Sequence, residues 1–200
     1  YAISVSHPDK VYRDRTVDFF NQHIEAAVQL DCDHMVVSTG FAYLDVDAED
    51  AFGWCAEAMG RIARKAEQEG VTLAVEPFTK YTTHICNEAS QLRRLLRTVN
   101  NPRLMGLADT DVIATTAVDT FSTFLDVIGP ENLGHVHFVD GNPGGHLVPG
   151  DGVLDLDGAL EKLKAIHYTG ALGLEVLDRR YVFAPEAAMK QAMDWYKERI

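Results

Sequence analysis

The chain has 200 residues, 46% of them hydrophobic, which suits one domain with a full core. Its net charge of −12 and pI near 5.0 lack the basic footprint of nucleic-acid binding and disfavour an anionic membrane surface. No apolar run reaches the roughly 18 residues of a membrane span. No stretch reads as a secretory leader.

The chain opens YAISVSHPDK, without Met and already reading as the end of a strand over 2–6. Residues 15–30 follow with Val17, Phe20, Ile24, Ala27 and Leu30 at helical spacing. A strand is expected at 35–39, then a helix over 48–69 with Phe52, Cys55, Met59, Ile62 and Ala66 on one face and Gly70 as its stop. Next come a strand at 71–77 and a helix over 88–98, capped by Asn87 and striped by Leu92, Leu95, Leu96 and Val99. The pattern repeats with a strand at 104–110, a helix over 117–128 ended by Gly129-Pro130, and a strand at 134–140. It closes with a helix over 157–166, a strand at 170–177, and a helix from Pro185 through Trp195. Unbroken strand–helix alternation is the α/β signature. Six strands are legible where a closed (β/α)8 barrel needs eight, so about two β/α units are expected to be missing upstream. An open six-stranded α/β sheet is the alternative. Cys32, Cys55 and Cys86 form no CxxC pair and read as reduced thiols of a cytoplasmic protein.

Four side chains stand at or near the ends of the last four strands: Glu76, Asp109, His137 and Glu175. Their spacing of roughly thirty residues is that of successive barrel units, so they should converge at the C-terminal mouth. Two Glu, one Asp and one His make a hard-to-borderline donor set. It suits Mn²⁺, Co²⁺ or Mg²⁺, with Zn²⁺ or Ni²⁺ as further options. A divalent metal held there would polarise a hydroxyketone and acidify the neighbouring C–H. Glu76 and Glu175 could then carry protons to and from opposite faces through a metal-stabilised enediolate. His135 shares a strand face with His137 but lies one layer lower, as a hydrogen-bonded imidazole.

The segment 141–152, GNPGGHLVPGDG, holds five Gly and two Pro in twelve residues and follows the His137 strand directly. Its position points to a loop over the catalytic face, with His146 as a substrate contact. Tyr81 is a second pocket candidate. Asp140 would either bind a sugar hydroxyl or cap the glycine loop. Asp111 would shadow the metal or stand solvated at the strand end.

The segments LAVEPFTKY around Glu76, GLADT around Asp109, HVHFVD around His137, HLVPGDG at 146–152 and GALGLEVL around Glu175 resemble the sugar isomerase/epimerase family with a xylose-isomerase-like TIM barrel. The pattern is nearest its ketose 3-epimerase branch. E-P-x-T-x-Y and H-x-x-P-G-x-G look most like fructoselysine 3-epimerase. The resemblance covers roughly residues 35–195. It implies metal ligation by Glu76, Asp109, His137 and Glu175, with the two Glu as the proton-transfer pair. It also implies a single barrel domain over 1–200, a sugar or sugar-amine substrate, and a homo-oligomer. Three clamp positions of the free-ketose epimerases hold Pro143, Val112 and Thr82 here, which favours a ketosamine over a free ketohexose. On the same scaffold, an aldose–ketose isomerase or a polyol dehydratase also begins with proton abstraction beside a carbonyl. A metal phosphodiesterase would want more histidines and a basic surface, and a non-catalytic sugar binder would not need both glutamates.

Overall fold

The computed structural model describes residues 3–41, 43 and 45–199. Five strands, β1 (His34–Ser38), β2 (Thr72–Glu76), β3 (Leu104–Asp109), β4 (Leu133–His137) and β5 (Leu172–Gly173), form one parallel sheet in the order of the chain. A doubly wound sheet would reverse its order at a switch point. Here each strand simply lies beside its predecessor, as in an arc of a β/α barrel.

The helices are α1 (Lys10–Gln29), α2 (Ala48–Glu69), α3 (Ala89–Val99), α4 (Thr110–Thr116), α5 (Phe121–Ile128), α6 (Leu156–Ala165) and α7 (Pro185–Lys197). Their starts follow from local chemistry. Asp9 accepts from Val11 N to open α1, and Asp47 accepts from Glu49 N and Asp50 N to open α2. Gly70 ends α2 with φ +77°, the left-handed conformation glycine adopts at least cost. The apolar face predicted for α2 is the buried one: Phe52, Cys55, Met59, Ile62 and Ala66.

Side chains two apart on a strand share a face. Val37, Leu73, Val75, Leu104, Ala108 and Val136 pack with the helices into the main core. Each large aliphatic buried there contributes about 1.5–3 kcal/mol. A one-residue slip would turn all of them over, so the register is strongly specified. The opposite face carries Ser38, Glu76, Asp109 and His137 at its upper end. Ser38 pairs with Glu76, and Asp109 with His137.

Several expectations need correction. Residues 3–6 form a turn rather than a strand, with Ser4 N bonded to Thr16 Oγ1 of α1, and residue 2 lies outside the described residues. Leu30, expected on the buried stripe, is the exposed C-cap of α1. Asn87 does not cap α3. Its amide bonds back to Thr83 O, and Ala89 N is met by Asp119 from a later loop. The expected helix over 117–128 begins only at Phe121, where Thr120 and Thr123 make a reciprocal capping pair, and α4 had not been foreseen. The last strand is two residues long, because after Gly173 the chain leaves the ladder. No helix among the described residues is long and apolar enough to cross a membrane. All three cysteines are free, with Cys55 and Cys86 buried.

Candidate metal centre

Glu76, Asp109 and His137 are each the last residue of their strand, so the ladder sets all three at one level. Glu175 lies two residues beyond β5, and its side chain is 39% exposed. His137 Nδ1 is 3.0 Å from Glu76 Oε1, 3.2 Å from Glu175 Oε2 and 3.5 Å from Asp109 Oδ2. One donor atom from each of the four lies within 4.8 Å of the others. The four residues picked out by spacing therefore do converge.

Nδ1 carries at most one proton, so it cannot satisfy three carboxylates by hydrogen bonding. Three negative groups around one imidazole leave a charge that desolvation makes costly unless a cation compensates it. Asp109 shows where the deficit falls. Its Oδ1 accepts from Asp111 N at 2.8 Å and Val112 N at 2.7 Å, capping α4. Its Oδ2 is buried and has no hydrogen-bond partner. An orphaned buried carboxylate oxygen facing two further carboxylates and an imidazole is what a divalent cation fits.

The electrostatics agree. Burial alone would lower the His137 pKa, but Asp109, Glu175 and Glu76 overcome it and push it up to about 11. Burial would raise the Asp109 carboxyl, yet His137, His146 and the Val112 N–H hold it at about 2. Without a cation, the imidazolium stands in for one. A raised His pKa stabilises the metal-free fold fully below the ordinary value near 6.5, and that contribution is lost as pH rises through about 11. The lowered Asp109 pKa stabilises it above 3.8 and is lost as pH falls through about 2. A metal must displace the imidazole proton, so affinity should rise with pH. We expect the Mn²⁺ association constant to increase about tenfold per pH unit between about pH 6 and 8. Titration calorimetry in buffers of different ionisation enthalpy checks this, and a pH-independent constant with no proton release would contradict it.

His146 also reaches the cluster. Its Nε2 is 3.3 Å from Asp109 Oδ2 and 3.5 Å from Glu175 Oε2, and its Nδ1 is 2.9 Å from Asp111 Oδ2. Burial again opposes, and Asp109 and Asp111 again win, raising its pKa to about 10. Asp111 is not the solvated strand-end carboxylate that the sequence suggested; it is 1% exposed. Asp140 holds the glycine loop. Its Oδ1 accepts from Gly141 N and Leu154 N, and its Oδ2 from Gly150 N and Gly152 N, all at 2.8–3.0 Å. Four donors fill the acceptor capacity of a carboxylate, which leaves no lone pair for the sugar hydroxyl considered from sequence. Tyr81, expected to line the pocket, is 80% exposed, with the Lys80 ammonium 5.5 Å from its ring.

Beneath His137 sits His135, ring centroids 5.3 Å apart and edge-on. Burial, then the neighbouring His137 and His34, lower the His135 pKa. Gly173 makes room for both rings: a Cβ there would stand 2.9 Å from His135 Nε2 and 3.1 Å from His137 Cδ2. A groove of about 530 Å³ lies elsewhere, lined by Ile113, Phe121, Leu154 and Leu156 among others, and none of the four converging residues borders it. The candidate site rests on the convergence of charge, not on cavity size.

The chain is 25% identical over 199 residues to fructoselysine 3-epimerase of Shigella flexneri, covering 98% of this chain and 71% of that protein. It is 25% identical over 177 residues to ketose 3-epimerase of Arthrobacter globiformis, covering 87% of this chain and 60% of that one. The crystal structure of 3-keto-D-glucoside 4-epimerase from E. coli superposes with a TM-score of 0.87 at 19% identity, covering 99% of this chain and 76% of that one, which speaks to the fold alone. The model of the xylose isomerase-like TIM barrel family matches residues 1–199. The strand arc, the donors at its mouth and this match together place the chain in the xylose isomerase-like TIM barrel family.

Proposed function

We propose that this protein is a metal-dependent sugar epimerase that inverts carbon 3 of a ketose or ketosamine by proton transfer between two glutamates. One observation carries the reading. Glu76 ends β2 and Glu175 follows β5, and these strands flank β3 and β4, so the two carboxylates bracket the Asp109–His137 pair. A single base would suffice to remove a proton, whereas inversion needs a second carboxylate on the other side. The names of the two relatives support the same reaction.

Glu76, Asp109, His137 and Glu175 would hold Mn²⁺, Co²⁺ or Mg²⁺, with Zn²⁺ or Ni²⁺ also fitting the donor set. When bound, the ion supplies Lewis acidity that polarises the carbonyl at carbon 2 and makes the carbon 3 proton more acidic. One glutamate takes that proton and the other returns one to the opposite face. Their roles exchange with the direction of reaction. His146, whose Nε2 lies 3.3 Å from Asp109 Oδ2 and 3.5 Å from Glu175 Oε2, would contact a substrate oxygen. Tyr81 would contact the distal part of a longer substrate. The absence of clamp side chains at Pro143, Val112 and Thr82 favours a ketosamine of the fructoselysine type. The free thiols agree with a cytoplasmic setting.

The test is isotope exchange. The protein is incubated in deuterated water with Mn²⁺ or Co²⁺ and with fructoselysine, psicose or tagatose, and followed by NMR. Metal-dependent deuterium at carbon 3, together with the inverted epimer, is the expected result, and EDTA should abolish both. Deuterium at carbon 1 with an aldose product would replace epimerisation by aldose–ketose isomerisation. Loss of water would point to a polyol dehydratase.

A further inference from the structure

Asp111 is a buried carboxylate whose ionic partner is a histidine on a distant loop. It lies in the first turn of α4, two residues after Asp109, where a carboxylate ordinarily faces water. The loop 141–152 folds over it instead. Asp111 Oδ1 accepts from Gly144 N at 2.5 Å, and Oδ2 accepts from His146 N at 3.1 Å. The third donor is the His146 ring, with Nδ1 2.9 Å from Oδ2. All three donors come from one side of the glycine loop, while Asp140 binds the other.

The loop pays in backbone strain for this approach. His146 has φ +48°, a left-handed conformation that is strained for a non-glycine residue and persists where surroundings enforce it. At Gly141 a Cβ would stand 1.9 Å from Asp111 Oδ1, so only glycine lets the carboxylate in. The result is a fixed imidazole. A carboxylate accepts and does not donate, so Nδ1 presents an N–H to Asp111 and the ring plane is set by that contact. Nε2 is thereby turned towards Asp109 Oδ2 and Glu175 Oε2.

We propose that Asp111 is the positioning residue of this site: it latches the glycine loop and sets the orientation of His146 over the Asp109–Glu175 edge. The inference rests on the site proposed above but concerns a residue outside the four-donor set. Asp111 acts through His146 and does not itself meet the substrate.

A double-mutant cycle tests it. Asp111→Asn should lower kcat/KM for carbon 3 exchange about 100-fold, as loss of a group that orients an active-site histidine does, while Mn²⁺ affinity measured by calorimetry changes little. His146→Ala should do the same, and the double variant should lose no more than His146→Ala alone. Multiplying losses would show that Asp111 does not act through His146 and would overturn the proposal. If Asp111→Asn fails to fold, Gly141→Ala displaces the same contact from the loop side and should show the same non-additivity. A second readout does not depend on turnover. In the Zn²⁺-loaded protein, histidine-¹⁵N NMR should show a solvent-protected proton on Nδ1 of His146 that is lost in Asp111→Asn. An unprotonated Nδ1 in the wild type would refute the assignment. If no sugar is turned over, the epimerase reading fails, and the NMR result still decides the role of Asp111.

Discussion

Glu175→Gln is expected to stop inversion of carbon 3 and to leave the fold intact. The side chain is 39% exposed, stands beyond the last ladder pair, and has His137 and His146 as its ionic neighbours. Little packing is lost by an isosteric amide. The loss of a positioned proton carrier should cost about 10³-fold in kcat. The two-carboxylate arrangement makes a sharper demand than simple inactivation. In the proposed reaction each epimer would present its carbon 3 proton to a different glutamate. Glu175→Gln should therefore lose deuterium exchange from one epimer far more than from the other, and Glu76→Gln should show the opposite preference. NMR of both epimers in deuterated water reads this directly. Equal losses from both epimers in each variant would mean that the two glutamates serve only to hold the metal. Retained inversion in either variant would remove that glutamate from proton transfer.

Asp109 separates two roles on its two oxygens. Oδ1 caps α4, and Oδ2 faces the cluster without a hydrogen bond. Asparagine is a good N-cap, so Asp109→Asn should keep the α4 cap, but it loses the charge that His137 and His146 stabilise and should lower the metal-free melting temperature at neutral pH. Asp109→Ala removes the cap as well and should cost about 1 kcal/mol more. Both should abolish most of the stabilisation that metal confers on the wild type, about 2.7 kcal/mol at a hundredfold excess over Kd. Thermal melts with and without Mn²⁺, beside calorimetric Kd values, distinguish the two. If Asp109→Asn gains as much from Mn²⁺ as the wild type does, the ion is held elsewhere.

The four converging donors were legible because a strand end is a local property. A short apolar run stops at a polar residue, and parallel strands bring successive stops to one level. The helices were legible for the same reason, as the buried face of α2 shows. What escaped notice depends on segments distant in sequence. Asp119 caps α3 from thirty residues downstream, so the nearby Asn87 was a reasonable but mistaken choice. Nothing local buries Asp111, so the sequence leaves it either shadowing the metal or solvated at the strand end. It is covered by a loop more than thirty residues later, whose path needs glycine at 141 and a left-handed histidine at 146. The nearest signal was Asp109-Thr-Asp111, two carboxylates at one strand end, where a single ligand needs only one. The run ISVS at 3–6 alternates like a strand, yet Pro8 and Asp9 follow at once and draw it into the turn that starts α1.

The short β5 has a mechanical consequence. Three donors are bolted to a hydrogen-bonded lattice, and the fourth stands two residues past its last rung. The coordination ring is thus stiff on three sides and compliant on one. Ions of different radius would be accommodated at the proposed site by travel of a single carboxylate, without straining the sheet. At the proposed metal site, size discrimination among divalent ions would then be shallow.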